Sequence, residues 1–274
     1  MKHEPTRWIS DYERTGYLVV EDCLSAATLA ALRKAIEKIT ADPDSLPAEI
    51  KRHLDFERDY VKKNPQYNDL SAQQVGNALR SIGELPLLDP VFADFVVYPP
   101  VLDVLQNLFG NSEFSFLNCK CIIKAPLVSS RFRWHRDQPY VQYTSPNLIT
   151  AMLCLDDMTG QNGATIMLPG THRIPHDKDN PADMDIQDKD LPDGPRVTVT
   201  CPAASLVLFH GSVIHGGGAN RSDKPRRNII SIWAGPENLP IAAKRHAYQG
   251  LMPRSVKPER QRQLYMSFPH LFPP

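Results

Sequence analysis

Two histidines and one aspartate have the residue types and spacing that fit a metal site. His135 and Asp137 are two residues apart in the segment Trp134-His-Arg-Asp-Gln-Pro-Tyr140, and His215 precedes three glycines. Residues i and i+2 of an extended chain point to the same face, so a strand here presents an imidazole and a carboxylate together. Two histidines and one carboxylate form the facial triad that holds Fe(II) and leaves positions open for other ligands.

The positioning of His215 requires a fold in which distant strands become neighbours. A single His-x-Asp occurs by chance in many proteins, and a lone histidine is more often an ordinary core or surface residue. The pattern becomes more specific when the distal histidine has a glycine-rich setting and an arginine follows it. Arg226 and Arg227 supply that arginine at the entry to the final strand-like run. A jelly roll brings such remote strands together.

Short runs rich in Val, Ile, Leu, Phe and Thr predict the strands. They are bounded by Pro, Gly, Asn and Asp, which is typical of an antiparallel sandwich or barrel; the runs are 114–124, 148–155, 164–168, 196–201, 205–209 and 227–234. Proline, at 25 of 274 residues or about 9%, exceeds the usual share of about 5%. We predict a mainly β fold with flanking helices and a double-stranded β-helix (jelly roll) core.

The front of the chain reads as largely helical. We predict a strand at 17–20, a helix capped by Ser25, and further helices near 71–83 and 99–109. Residues 40–70 and 172–195 read as loops, and the segments 40–80 and 172–195 are expected to cover a pocket mouth. We expect one domain over 1–274, with a helical front at about 1–112, a β core at about 113–235 and a C-terminal segment at 236–274.

Composition and charge exclude several classes of protein. The chain has 31 Lys+Arg and 31 Asp+Glu, and a pI near 7.1, which argues against a nucleic-acid binder. No run reaches the roughly 18 apolar residues of a membrane span, and no apolar segment follows the first residues as in a secretory signal. The five cysteines form no C-x-x-C pair and are expected to be reduced and mostly buried. We expect a cytoplasmic protein.

Several segments resemble the phytanoyl-CoA dioxygenase family of Fe(II)- and 2-oxoglutarate-dependent oxygenases. Besides the His-x-Asp segment, they are Gly16-Tyr-Leu-Val-Val-Glu-Asp22, Lys124-Ala-Pro126, Leu155-Asp-Asp157, the stretch 162–172 from Asn162 to His172, and the stretch 215–226. The resemblance covers most of the chain, and its specific part runs from about 118 to 234. The middle region 40–95 contributes little to it.

The resemblance implies Fe(II) as the metal, with 2-oxoglutarate and O2 as cosubstrates. It makes His135, Asp137 and His215 the iron ligands, and it makes Arg226 the partner of the far carboxylate of 2-oxoglutarate. A guanidinium can grip a carboxylate with two parallel hydrogen bonds. Arg227 is the competitor, because neighbours on a strand face opposite sides and parity alone does not decide between them. The family spacing favours Arg226.

Other residues near the expected site are open to two interpretations. Asn118 and Thr165 lie where family members place an amide or hydroxyl near the cosubstrate, although ordinary strand residues also occupy such places. Tyr140 is a pocket or a core residue. Three histidines are expected to be structural or surface residues, with a place beside the pocket as the alternative for His210: His172, His176 and His210. Three arginines are expected to face solvent, with contact to an anionic substrate as the alternative: Arg131, Arg133 and Arg136.

The resemblance also bounds the reaction. Gly217 stands where some members have a cosubstrate-contacting serine, and Asp137 is the carboxylate that related halogenases replace by a small residue. Because Asp137 is present, halogenation is not expected. The resemblance implies hydroxylation of a C–H bond of a small molecule, with release of succinate and CO2, and the breadth of the family favours secondary metabolism. Desaturation, epoxidation and ring formation stay open. The alternative is a non-catalytic jelly-roll protein that binds or senses a metal or small molecule. The sequence gives no oligomeric state.

Overall fold

Two antiparallel sheets make up the β part of the chain. The computed structural model describes residues 5–241, 243 and 246–271. Its strands are β1 (Tyr17–Val20), β2 (Leu54–Phe56), β3 (Leu79–Ile82), β4 (Ser115–Lys124), β5 (Phe132–His135), β6 (Leu148–Cys154), β7 (Thr165–Met167), β8 (Val197–Thr198), β9 (Leu206–His210), β10 (His215–Gly217) and β11 (Arg226–Ala234). The larger sheet has the order β1-β9-β6-β11-β4-β3-β2, and the smaller one β5-β10-β7-β8. The predicted mainly β fold with a jelly-roll core is confirmed.

Most of the helices lie in the front part of the chain. They are α1 (Pro5–Thr15), α2 (Ala26–Thr40), α3 (Ala48–Lys51), α4 (Glu57–Lys63), α5 (Ala72–Val75), α6 (Pro90–Val96), α7 (Pro99–Phe109), α8 (Gln138–Val141) and α9 (Pro258–Ser267). Ser25 caps α2 as predicted, because its hydroxyl accepts a hydrogen bond from the Thr28 amide at 3.1 Å. Across the described residues, no helix combines the length and apolar character needed to cross a bilayer.

The two faces of the larger sheet carry different cores. On β11, Ile229 and Trp233 belong to the main hydrophobic core, which also contains residues of α2, α6 and α7. Ile230 points to the opposite face, where it packs against a second core that includes Met167 of the smaller sheet. Side chains alternate between the faces along a strand. Even-numbered residues of β11 therefore face the space between the sheets.

Two predictions for the front of the chain are wrong. Residues 40–70 are not simply a loop, since they hold β2 and α4, and only 72–75 of the predicted helix 71–83 is helical. Val75, Leu79 and Ile82 are all buried, and their spacing is the one expected on the buried face of a helix, which explains the wrong prediction. Gly76, with φ +57°, ends the helix, and the chain continues as β3, which pairs with β4. The front therefore contributes three strands to the larger sheet.

The other predicted elements are found close to their expected positions. β1, α7 and the six predicted runs after residue 113 all appear, some of them shortened at the ends. All five cysteines are free and buried, as predicted.

Candidate metal centre

The smaller sheet places the two histidines side by side. β5 and β10 pair antiparallel, with His135 and His215 as direct Cα partners, and their ring centroids are 4.2 Å apart. Asp137 does not share the strand with His135, contrary to the prediction. It lies just beyond β5 in a helical backbone conformation, because α8 with its early proline begins at the next residue. Its amide donates to the Gly211 carbonyl at 2.9 Å, which fixes the turn.

The three candidate ligand atoms converge. The Oδ1 atom of Asp137 is 3.6 Å from Nε2 of His135 and 3.8 Å from Nε2 of His215. All three atoms lie within 4.8 Å of one another. The Nδ1 atoms point away to backbone carbonyls, that of Arg133 for His135 at 2.9 Å and that of Val213 for His215 at 3.1 Å. A carbonyl only accepts, so each Nδ1 carries the proton and each Nε2 is left with a free lone pair.

Electrostatics keep Asp137 and His215 in the protonation states that a metal needs. Burial raises the pKa of the Asp137 carboxyl, but the charges of His215 and His135 and the hydroxyl of Thr150, 2.5 Å away, outweigh this and hold the pKa well below its usual range. Burial, assisted by His135, lowers the pKa of His215 to about 4. At neutral pH the aspartate is therefore anionic and His215 is neutral. Two imidazole nitrogens and one carboxylate fit Fe(II) with open positions.

A small cavity joins this centre to a buried arginine. The cavity, of about 110 Å³, is lined by His135, Asp137 and His215 and also by Arg226 and Thr165. Its remaining wall is mostly apolar and includes Ile122, Met152, Phe209, Ile230 and Ile232. One cavity is thus in contact with both the candidate metal ligands and a guanidinium.

Arg226 faces the space between the two sheets, and Arg227 faces the opposite side of the larger sheet. Arg226 is 2% exposed and faces the space between the sheets, where it donates to the Gly163 carbonyl at 2.9 Å. With the Asn228 amide oriented so that its oxygen faces the guanidinium, Asn228 accepts a second bond. Nε of Arg226 has no partner among the described residues. Burial lowers the pKa of Arg226 to about 10, so it stays cationic at neutral pH.

Arg227 is already neutralised. Its Nε and Nη2 donate to the two carboxylate oxygens of Asp156 at 2.9 and 2.8 Å, and Nη1 contacts Glu37. These bonds, that to Asp156 first, raise the pKa of Arg227 above its usual value. A buried cation without a carboxylate partner is costly unless an anion binds it. The arrangement therefore makes Arg226, and not Arg227, the arginine suited to an anionic ligand in the cavity.

The remaining candidates are divided between two pockets. Thr165 lines the cavity of Arg226, where its hydroxyl contacts the Met152 sulfur at 3.6 Å. Asn118 and Tyr140 instead line an adjoining outer pocket of about 280 Å³, which also contains His135 and Asp137. The Asn118 amide nitrogen lies 3.4 Å from Nε2 of His246. His210 lines neither pocket and packs against His172, with ring centroids 5.5 Å apart.

The segment 172–195 binds two arginines, Arg133 just before the His-x-Asp sequence and Arg136 within it. Arg136 does not face solvent as predicted, because it is 3% exposed and its Nε lies 3.1 Å from an Asp183 oxygen. Arg133 lies 3.7 Å from Asp185 and lines the outer pocket. Arg131 is exposed, as predicted. The aspartates of this segment, read as a solvated loop in the sequence, therefore neutralise the basic residues beside the metal centre.

Removal of the Arg136 side chain should destabilise the fold. Its guanidinium also donates to the carbonyls of Thr171 and Ser212, so Arg136→Ala removes both bonds and leaves the Asp183 carboxylate without its ion-pair partner. We expect the free energy of unfolding, measured by urea denaturation, to fall by about 3–5 kcal/mol. The matched change Arg131→Ala, at an exposed position, should stay within about 0.5 kcal/mol of the parent. Equal losses for the two variants would contradict the buried contact.

Gly163 has no room for a side chain. Its φ is +80°, and an added Cβ would lie 2.6 Å from the Gly218 carbonyl oxygen and 2.7 Å from the Lys124 side chain. Gly163→Ala should therefore lower the free energy of unfolding by more than Gly110→Ala. Gly110 also has a positive φ, but its surroundings are open, so that change costs about 1–2 kcal/mol. Gly163→Ala should also weaken anion binding, because the Gly163 carbonyl holds Arg226. Thermal unfolding and ligand titration of both variants test this, and equal effects would contradict it.

Sequence reasoning missed Lys120, which lines both the cavity and the outer pocket. The available signal was the alternation along β4, where Asn118, Lys120 and Ile122 have the same parity in an otherwise apolar strand.

Comparisons with known proteins match this chain to one family. The sequence profile of the phytanoyl-CoA dioxygenase (PhyH) family matches residues 12–228. A "Probable phytanoyl-CoA dioxygenase" of Caenorhabditis elegans is 27% identical, covering 89% of this chain and 86% of its own length. An "Ectoine dioxygenase" of Bordetella bronchiseptica is 26% identical, covering 84% of this chain and 75% of its own length.

Solved structures share the fold. The epimerase SnoN, in complex with Fe3+, alpha ketoglutarate and nogalamycin RO, has a TM-score of 0.67 at 18% identity and covers 93% of this chain and 96% of its own. EctD from S. alaskensis, with 2-oxoglutarate and 5-hydroxyectoine, has a TM-score of 0.67 at 24% identity, with coverage of 91% and 85%. At these identities the likeness establishes the fold.

Proposed function

Since this chain belongs to the phytanoyl-CoA dioxygenase family, we propose that it is an Fe(II)- and 2-oxoglutarate-dependent dioxygenase that hydroxylates a C–H bond of a small molecule. The observation that carries the proposal is the single cavity lined by His135, Asp137, His215 and Arg226. It combines a metal-binding donor set with an unneutralised guanidinium. A keto acid that binds the metal at one end and carries a second carboxylate needs both.

The roles of the residues follow from their contacts. His135 and His215 would bind Fe(II) through Nε2, and Asp137 would bind through Oδ1, while the carbonyls at Nδ1 and the Thr150 hydroxyl hold their orientation. When bound, iron with 2-oxoglutarate and O2 supplies the oxidising power, and succinate and CO2 are released. Arg226 would bind the far carboxylate, and the apolar wall would exclude water from the cavity.

Support for a small-molecule substrate comes from the outer pocket and from the relatives. The pocket of about 280 Å³ shares His135 and Asp137 with the cavity, so a molecule bound there lies beside the metal centre. The SnoN structure holds nogalamycin RO and the EctD structure holds 5-hydroxyectoine. We extend the proposal to a substrate of comparable kind, including secondary metabolites.

Succinate formation tests the proposal. Protein loaded with Fe(II) under nitrogen and then given 2-oxoglutarate and O2 should release succinate and CO2, and a substrate found by library screening should increase the rate. Omission of Fe(II), omission of O2 and the variant Asp137→Ala should each abolish release. A folded protein that binds Fe(II) and 2-oxoglutarate, yet forms no succinate with any compound of a broad library, would instead be a binding protein or sensor.

A further inference from the structure

We propose that the substrate of this site carries an oxyanion, a carboxylate or phosphate group, which Lys120 binds in the outer pocket beside the metal centre. The inference rests on the proposed function and names the class of molecule that the site accepts. The position of Lys120 is the first observation that supports it. The residue lies in the middle of β4, opposite Ile230 of β11, and it is partly buried in the wall shared by the outer pocket and the cavity.

Lys120 is unneutralised. It forms no hydrogen bond or ion pair with any residue in the described ranges. A lysine that is only solvated is common on a protein surface, but this one is rooted in the centre of a sheet and lines both the cavity and the outer pocket. Its ammonium group therefore offers a positive charge with free donors to whatever enters the outer pocket.

The other basic side chains of the outer pocket already have acidic partners. Arg80 donates twice to Glu57, at 3.1 and 3.3 Å, and Glu57 is 1% exposed. Arg133 lies 3.7 Å from Asp185. The ring of His246 contacts Glu84. Among the described lining residues, Lys120 therefore provides the excess positive charge.

The charges of the metal centre and its cosubstrate balance without Lys120. An Fe(II) ion, the Asp137 carboxylate, a 2-oxoglutarate dianion and the Arg226 guanidinium together carry no net charge. Lys120 is additional to that balance, so an occupied metal centre still leaves the outer pocket electropositive. A substrate with one oxyanion would neutralise it, whereas a cationic substrate would meet repulsion.

The walls of the outer pocket suit the rest of such a molecule. The Arg80 guanidinium lies over the rings of Tyr60, at 3.5 Å, and Phe132, at 4.5 Å, which fixes these aromatic groups in place. The Tyr140 ring stands edge-on to His135 at 5.8 Å. The pocket thus offers aromatic surface beside both Lys120 and the metal centre. This arrangement suits a molecule with an apolar or aromatic body and an oxyanion.

Matched pairs of small probes test the inference. We would titrate phenylacetate against phenylacetamide, and phenyl phosphate against phenol, by calorimetry with saturating Fe(II) and 2-oxoglutarate under nitrogen. The anionic member of at least one pair should bind about 10-fold or more tightly than its neutral partner. Lys120→Met should remove that preference and Lys120→Arg should keep it. Lys38→Met, the same change at an exposed site on α2, should leave it as in the parent.

Three results would overturn the inference. One is equal or tighter binding of the neutral members in the parent protein, and another is an anion preference that persists in Lys120→Met. The third is a Lys120→Met variant that loses affinity for 2-oxoglutarate while its probe preference is unchanged, which would assign Lys120 to the cosubstrate. If Fe(II) and 2-oxoglutarate themselves fail to bind, the proposed function fails. The same probe titrations without them still show whether Lys120 binds an oxyanion in the outer pocket.

Discussion

Replacing His215 by alanine is expected to abolish Fe(II) binding and turnover together. The side chain is 7% exposed and provides one of three convergent ligand atoms, so its loss leaves a two-ligand site. Loss of a group that merely orients a metal ligand costs about 10–100-fold in affinity, and loss of the ligand itself should exceed that. Equilibrium dialysis of Fe(II) against parent and variant measures the change.

A histidine outside the centre provides the matched control. His270 is exposed and lies 2.8 Å from Asp94 on α6. His270→Ala should bind Fe(II) as the parent does. If His215→Ala kept parent affinity while remaining folded by circular dichroism, the convergence of the three side chains would have no role in metal binding.

Replacing Arg226 by alanine should spare the metal and remove the cosubstrate. The guanidinium is buried and has an Nε without a partner in the described part of the chain, so we expect it to contribute a charged contact to 2-oxoglutarate. Loss of such a contact costs about 2–5 kcal/mol, or about 30- to 5000-fold in Kd. Titration of 2-oxoglutarate into Fe(II)-loaded protein under nitrogen measures this. Arg226→Lys should recover affinity only in part, since a lysine makes no bidentate contact.

Arg227→Ala is the control for this experiment. It removes the bonds to Asp156 and Glu37 on the outer face of the sheet, so it should lower stability and leave the Kd of 2-oxoglutarate unchanged. A raised Kd in Arg227→Ala with a parent-like Kd in Arg226→Ala would show that the assignment is off by one residue.

The sequence allowed the metal centre to be anticipated because its signal is partly local. His135 and Asp137 are two residues apart, and the bend between β5 and α8 still leaves Oδ1 of Asp137 3.6 Å from Nε2 of His135. His215 required knowledge that β5 pairs with β10, and β10 is a three-residue strand containing two glycines, which carries no hydrophobic pattern. The resemblance to a family supplied this long-range contact, and periodicity could not have done so.

The face of the sheet to which a strand side chain points depends on the register of the strands, which the sequence leaves open. Both faces of β11 are apolar because each packs on a different core, so alternation alone did not distinguish Arg226 from Arg227. In the structure the two neighbours lie on opposite faces. The same limitation hid Lys120, whose importance depends on which face of β4 lines the pockets.

Charged segments were misjudged for a related reason. Arg136 and the aspartates of 172–195 each look like solvated residues, and only the fold brings Arg136 and Asp183 together. Likewise, β3 is a strand because β4 offers it a partner, although its buried residues follow a helical spacing. Strand pairing between segments that are distant in the sequence can override the local secondary-structure propensity and the hydrophobic pattern.

The central claim is that one cavity holds a ferrous ion and a keto acid together. Anaerobic titration of 2-oxoglutarate into the Fe(II)-loaded parent protein, followed by visible absorption, tests it most directly. A weak charge-transfer band should appear, saturate with the cosubstrate and be absent from Asp137→Ala. A folded parent protein that binds Fe(II) but shows no band at saturating 2-oxoglutarate would contradict it.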